Sequence, residues 1–301
     1  MSQSNDHFSV GHVVGGVLNR SDKDTSAAAV AIHSSLFDGA IAATKVVVVC
    51  LLLSLPFSLS VVHGFLVAIA VYGSNKLVDD EDAVNCPDRA AFVERHRRGL
   101  TILTVGSYLL SLGLAAVEGV ASFGLVLLPG IAAVLYSVEW VPNDGGTRLK
   151  DVLFVNTVLV AAAWAIPLTF LPLTYADKVP GLASLTIFGF FFLQTVVAGE
   201  VMNARDVAGD RREGVSTLST RFGVGGARRA LYGIDALTVG LLVAATVTGV
   251  LGTAQLLALL PAVGFSLAVT AMVGRDIDLS RLATARNAEY PLMLAGVLLI
   301  L

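Results

Sequence analysis

Charge is scarce in this chain of 301 residues: 14% are Asp, Glu, Lys or Arg, 55% are hydrophobic, and the mean hydropathy is +0.78. A soluble domain carries about 25% charged residues, so a polytopic membrane protein is expected. Cysteine is nearly absent. Cys50 sits in an apolar run and Cys86 in a polar loop, which excludes a disulfide framework, a CxxC pair and zinc-type spacing. The histidines (His7, His12, His33, His63, His96) are scattered and form no metal-type cluster. The net charge of -3 gives no electrostatic reason to expect nucleic acid as a partner. Residues 1–24 are polar and mixed in charge, unlike a secretory signal. Heptads, low-complexity tracts and a soluble domain of any size are also missing.

Long apolar runs, by contrast, fill the chain. A span needs about 20 mostly apolar residues. Nine candidate runs lie near 40–58, 61–79, 99–117, 119–138, 152–173, 181–203, 229–250, 253–273 and 287–301. The sequence is therefore read as all-α, with nine transmembrane helices in a single bundle over 39–301. A polar tail at 1–38 precedes them, and its final part, from about 26, can form a short interfacial helix. Pro129-Gly130 in the fourth run and Pro167 and Pro172 in the fifth predict kinks. The ninth run is short, contains Pro291 and reaches the last residue. With nine spans, every Lys and Arg except Lys178 falls on one side, counting those at span ends. The positive-inside rule then places the N-terminus in the cytoplasm and the C-terminus outside the cell membrane.

Two polar stretches break this pattern. The first, NKLVDDEDAVNCPDR, carries Asn75, Asp79 and Asp82; the second, NARDVAGDRREG, carries Asn203, Asp206 and Asp210. In each, an Asn is followed seven residues later by an Asp, with another Asp between. On a helix such a set lies on one face over two turns. The stretches end the second and sixth runs, four spans apart, which hints at two related four-helix halves plus one helix. Both ends face the cytoplasm in the nine-span arrangement. Carboxylates beside hydrocarbon are costly and usually mark a functional site.

Asn and Asp oxygens are hard ligands suited to Mg²⁺, which completes its shell with substrate phosphates. Two such ions on opposing helices would clamp a diphosphate. Arg89, Arg148, Lys150 and Arg211 would hold its remaining oxygens. An apolar bundle also suits a hydrocarbon tail, so the expected donor is an isoprenyl diphosphate lying among membrane lipid. Metal ions would neutralise charge on the departing diphosphate, with Asp79, Asp82, Asp206 and Asp210 as the catalytic carboxylates. The cation-like allylic carbon would then alkylate a lipophilic or aromatic acceptor in a dry pocket.

These residues resemble the UbiA superfamily of intramembrane prenyltransferases. The first family motif reads NDxxDxxxD and often continues into N-x-P-x-R. Here it is similar to Asn75-Lys76-Leu77-Val78-Asp79-Asp80-Glu81-Asp82, followed by Asn85-Cys86-Pro87-Asp88-Arg89. The second, DxxxD followed by G-D-R-x-x-G and T-L, is similar to Asp206-Val207-Ala208-Gly209-Asp210-Arg211, then Gly214, Thr217 and Leu218. The resemblance covers about 40–301 and implies nine transmembrane helices and Mg²⁺-dependent prenyl transfer. It further implies that a basic residue and an Asn near the start of the fifth span bind diphosphate. Lys150 and Asn156 resemble these, with Arg148 and Tyr136 as weaker candidates. Three positions depart from the pattern. Lys76 replaces the usual Asp, the first motif is one residue short so that Asp82 stands in for the third acid, and Asn203 sits where many members have Asp. Lys76 either lowers the metal requirement or points away from the site.

Blander readings compete at each position. Asp79 and Asp82 with Asp80 and Glu81 also fit a solvated helix end. Asp206 and Asp210 also fit a polar loop paired with Arg205, Arg211 and Arg212. Glu200 is either a ligand or a partner of one. Arg95, Arg97, Arg98, Arg228 and Arg229 read as topology signals or headgroup contacts, and Gly223-Val224-Gly225-Gly226 as a turn before span seven. Phe190, Phe191 and Phe192 read as packing residues, or as a shelter for a carbocation. In function, a secondary transporter binding a cation through intramembrane acids is the alternative. It predicts acids near mid-bilayer, whereas these cluster at one rim beside basic residues. The motifs leave the acceptor, the tail length and the oligomeric state open.

Overall fold

The computed structural model describes residues 27–78, 86–137, 149–275 and 277–301. Inside a bilayer each backbone N–H and C=O must be satisfied within its own segment, and the helix does this locally. Among the described residues the structure is wholly helical. The helices are α1 (Ala27–His33), α2 (Leu36–Leu52), α3 (Ser60–Val78), α4 (Pro87–Glu118), α5 (Val120–Ser137), α6 (Val155–Thr174), α7 (Leu182–Glu213), α8 (Leu218–Val247), α9 (Thr253–Met272), α10 (Leu279–Ala285) and α11 (Glu289–Ile300). Short 3₁₀ turns at Leu149–Asp151 and Arg286–Ala288 precede α6 and α11.

Each of the nine predicted runs falls on a helix, α1 and α10 being extra. Six helices are long and apolar enough to cross a membrane: Ser60–Val78, Pro87–Glu118, Val155–Thr174, Leu182–Arg212, Leu218–Val247 and Thr253–Met272. Val120–Tyr136 is apolar but shorter. Helix α2 has 17 residues and α11 has 12. Helices α4 and α7, of 32 residues each, extend past their apolar runs into charged turns. Pro87 opens α4, where a missing N–H costs nothing. Pro129, Pro167 and Pro172 lie inside continuous helices. Gly223, at φ 70° and ψ 163°, breaks the helical geometry near the start of α8, in the glycine cluster read as a turn.

Neighbours in sequence are neighbours in space. From α2 to α9 each helix packs on the next, α9 packs on α11, and α11 returns to α2. The nine helices thus close a ring. Helix α1 lies against α2 and α4, and α10 against α7. One apolar core joins Val49, Ile187, Phe190, Phe191, Leu259 and Met293; a second joins Val46, Val67, Trp164 and Leu168. Phe190 and Phe191 are therefore packing residues. At Gly64 a Cβ would stand 2.9 Å from Val46 Cγ2, so α2 and α3 approach through a missing side chain.

Single polar residues within the apolar runs pin this ring. Lys45 Nζ lies 4.0 Å from the centroid of Tyr290, joining α2 to α11 where the ring closes. Asp235 of α8 is fully buried and accepts hydrogen bonds from Ser266 and Thr270 of α9, each at 2.7 Å. Arg286 is ion-paired with Glu289, and its Nη2 donates to Gln194 Oε1 of α7 at 2.9 Å. The sequence reading passed over all of these. Replacing Ser266 with Ala and Thr270 with Val strips the Asp235 carboxylate of both hydroxyl donors. The pair should cost about 3 kcal/mol, read as a lower unfolding midpoint in detergent; an unchanged midpoint contradicts this pairing.

Candidate active site

The C-terminal ends of α3 and α7 and the N-terminal end of α6 lie at the same end of the ring. Helix α6 touches both α3 and α7, so it stands between the two motif-bearing helices. The backbone N–H of Ser216, after α7, donates to the Asp151 carbonyl, before α6, at 3.1 Å. This ties the segment holding Lys150 to the end of the second motif.

Of the first triad, Asn75 is placed in the last turn of α3 and is exposed. Asp79 and Asp82 lie outside the described residues, as do Arg148 and the side chain of Lys150. Arg89 is half-buried in the first turn of α4. Arg97 Nη2, further along α4, donates to the Leu77 carbonyl at 3.2 Å and steadies the end of α3. The Lys76 ammonium bonds the Asp38 carboxylate of α2 and the Ile32 carbonyl of α1, each at 2.8 Å, so it is turned toward α1 and α2.

The second triad is helical, as its spacing predicted. Asn203 and Asp206 are half-buried and Asp210 is buried. Helix α7 ends at Glu213, just past Arg211 and Arg212, both exposed, and Gly214 supplies the left-handed residue at φ 76°. Asp206 is held on both oxygens by its neighbour: Arg205 Nε donates to Oδ1 at 2.7 Å and Nη2 to Oδ2 at 2.6 Å. The ion-pair reading thus holds for Asp206, and a metal ion there would share or replace Arg205.

Deeper on the same face, α6 and α7 share a polar network. The Thr157 hydroxyl lies 2.5 Å from Glu200 Oε1 and 2.9 Å from Asn156 Oδ1, and aims its single proton at the nearer carboxylate. Asn203 Nδ2 donates to the same hydroxyl at 3.4 Å, and the Thr157 N–H donates to Asn156 Oδ1 at 2.5 Å. The helices come this close because residue 199 is glycine; a Cβ there would stand 3.2 Å from Thr157 Cγ2. Asn156 is 4% exposed and Glu200 2%, yet Glu200 Oε2 takes no hydrogen bond among the described residues.

A buried carboxylate oxygen without a donor fits a cation, and the local donor set is all oxygen, which suits a hard ion such as Mg²⁺. Among the described residues no three His, Cys, Asp or Glu side chains come together as a metal site. The α7 side alone is therefore incomplete, and substrate oxygens would have to fill its shell. Thr157 was missed in the sequence; its only signal was its place beside Asn156 at the start of an apolar run.

The UbiA prenyltransferase family profile matches residues 34–293. Digeranylgeranylglyceryl phosphate synthase from Methanothermobacter thermautotrophicus is 30% identical over 192 residues, covering 62% of this chain and 64% of that protein. The chain thus spans just under two thirds of this relative's length. Among solved structures, a UbiA homologue from Archaeoglobus fulgidus bound to DMAPP and Mg²⁺ matches with a TM-score of 0.64 at 17% identity, over 89% of this chain and 97% of that one. The apo UbiA homologue from Aeropyrum pernix K1 matches with a TM-score of 0.66 at 16% identity, over 88% and 98% of the two chains. Identities this low speak for the fold alone. Family profile and fold agree, and this integral membrane chain belongs to the UbiA prenyltransferase family.

Proposed function

We propose that this chain is an Mg²⁺-dependent membrane prenyltransferase. It moves an isoprenyl chain from an allylic prenyl diphosphate to a lipophilic or aromatic acceptor and releases diphosphate. The observation that carries this reading is the oxygen-lined end of the α6–α7 contact, where Asn203 and the undonated oxygen of Glu200 lie on one face. The A. fulgidus homologue with DMAPP and Mg²⁺ supports the donor and the ion. The name of the M. thermautotrophicus relative points to a glyceryl phosphate as the acceptor of that protein.

In this reading Asn75, Asp79 and Asp82 hold one ion, and Asn203, Asp206 and Asp210 the other. Arg89, Arg148, Lys150, Asn156 and Arg211 bind the diphosphate. The Asn156 carbonyl oxygen is taken by Thr157, which leaves its amide N–H groups to donate to phosphate. Arg205, displaced from Asp206 by an ion, becomes a further cation for the leaving group. When bound, Mg²⁺ supplies Lewis-acid neutralisation of the charge that grows on diphosphate. The protein's apolar walls exclude water from the allylic cation.

Nine spans, as two related four-helix halves plus α11, complete the proposal, with the N-terminus and the site facing the cytoplasm. The closed ring of nine helices supports this arrangement. A transporter would need an acid open to a passage. Two of the deep acids are instead engaged within the wall, Asp235 by two hydroxyls and Glu289 by Arg286.

Asp79→Ala or Asp206→Ala should abolish diphosphate release in reconstituted vesicles, and turnover retained in both variants contradicts the assignment. EDTA should remove prenyl diphosphate binding and Mg²⁺ restore it; ion-gradient-driven flux without such binding favours the transporter. Thr157→Val removes the hydroxyl between Glu200 and Asn203. It should lower the rate of diphosphate release about tenfold, ~1.4 kcal/mol on the barrier, and an unchanged rate separates this network from the chemistry.

A further inference from the structure

The first motif departs from the family pattern at Lys76, and the structure gives that lysine partners on other helices. Helix α1 meets α2 at a corner made by Ser34 and Ser35, both buried. Ser35 takes φ 65°, the left-handed region that a residue with a side chain disfavours. Such a corner persists where its surroundings hold it in place. Lys76 reaches this corner from α3. Its ammonium donates to the Ile32 carbonyl in the last turn of α1 and pairs with Asp38 in the first turn of α2, each at 2.8 Å. A cation at a helix C-terminus also meets the negative end of the helix dipole. The side chains of Lys76 and Asp38 are 13% and 27% exposed, so the pair is shielded, unlike the open ion pairs that contribute little.

The other side of the first motif is held as well. The ring of His33, which closes α1, lies 5.2 Å from that of Phe92, buried in the second turn of α4. From α4, Arg97 Nη2 bonds the Leu77 carbonyl at 3.2 Å. Helix α1 thus braces both the end of α3 and the start of α4, and the sequence between those two helices carries Asp79 and Asp82. Lys76 directly follows Asn75, and neighbouring residues on a helix point about 100° apart. A Lys76 drawn to α1 and α2 therefore fixes the rotation of the last turn of α3, and with it the direction of Asn75.

We propose that Lys76 is a positioning residue for the first metal ion: by fastening the end of α3 to α1 and α2, it aims the first motif's oxygens at that ion. The proposal rests on the prenyltransferase reading above and deepens it by tying the metal affinity of the first motif to a contact with α1 and α2. Mg²⁺ demands near-ideal octahedral geometry. Ligands on a loosely held helix end bind it more weakly, yet the site still fills and takes the donor when Mg²⁺ is abundant. Charge alone predicts the reverse. A cation beside the site repels Mg²⁺, so its removal would tighten the ion.

The test uses the full chain in lipid nanodiscs and follows binding of radiolabelled geranyl diphosphate as Mg²⁺ is added. Lys76→Met and Asp38→Asn should each raise the half-saturating Mg²⁺ concentration about tenfold, the scale on which groups that orient metal ligands act. The amount of donor bound at saturating Mg²⁺ should stay at the wild-type level. Lys76→Arg keeps the charge and the donors and should bind Mg²⁺ as the wild type does. A merely structural role for Lys76 would reduce the donor bound and leave the half-saturating Mg²⁺ concentration unchanged. That result, a rise confined to one of the two variants, or tighter Mg²⁺ in Lys76→Met overturns this proposal alone. Donor binding that is absent from the wild type, or that needs no Mg²⁺, overturns the prenyltransferase reading and this proposal with it.

Discussion

A polar group placed inside a hydrocarbon-embedded bundle has no water to turn to, so it must be answered by a partner within the protein. That constraint organises this structure. Lys45 over Tyr290 closes the ring, Asp235 between two hydroxyls clips α8 to α9, and Arg286 with Glu289 and Gln194 fastens the turn before α11 to α7. His63 is held by Ser111 and Tyr175, and Lys76 by Asp38. Each of these pairings rigidifies the wall. At the α6–α7 contact the same rule is incompletely met, because Glu200 keeps an oxygen without a donor.

Helix α6 stands between the two helices that carry the motifs, where the proposed headgroup would sit. It packs on both α3 and α7, and its first turn carries Asn156 and Thr157. The glycine at 199 lets α7 come close enough for Thr157 to reach Glu200. Arg205 on Asp206 keeps that carboxylate neutralised in the absence of metal, which lowers the penalty of holding acids beside lipid. The charged ends of α4 and α7 project beyond their apolar stretches, and place Arg89, Arg97, Arg211 and Arg212 at the same rim.

Much of this was legible in the sequence, and the reasons it was are physical. Apolar runs announce helices, so all nine runs are helical. Six of the helices are long and apolar enough to cross a membrane, whereas α2 with 17 residues and α11 with 12 are shorter. The three-and-four spacing of Asn203, Asp206 and Asp210 fixes them on one helical face whatever the tertiary structure. The direction of Lys76 could not be read, because its partner Asp38 is 38 residues upstream on another helix. Thr157 with Glu200, Asp235 with Ser266, and Arg286 with Gln194 were invisible for the same reason. A lone polar residue in an apolar run gives its own identity and nothing about the distant side chain that answers it.

The central claim, that both motifs grip one diphosphate through two metal ions, is tested most directly by electron paramagnetic resonance. The reconstituted protein would be loaded with Mn²⁺ and an unreactive prenyl thiodiphosphate. Two Mn²⁺ ions per chain, magnetically coupled at the ~4 Å separation of two-metal sites and bound only with the diphosphate analogue, are the expected result. A single ion, or two uncoupled ions, would contradict the claim.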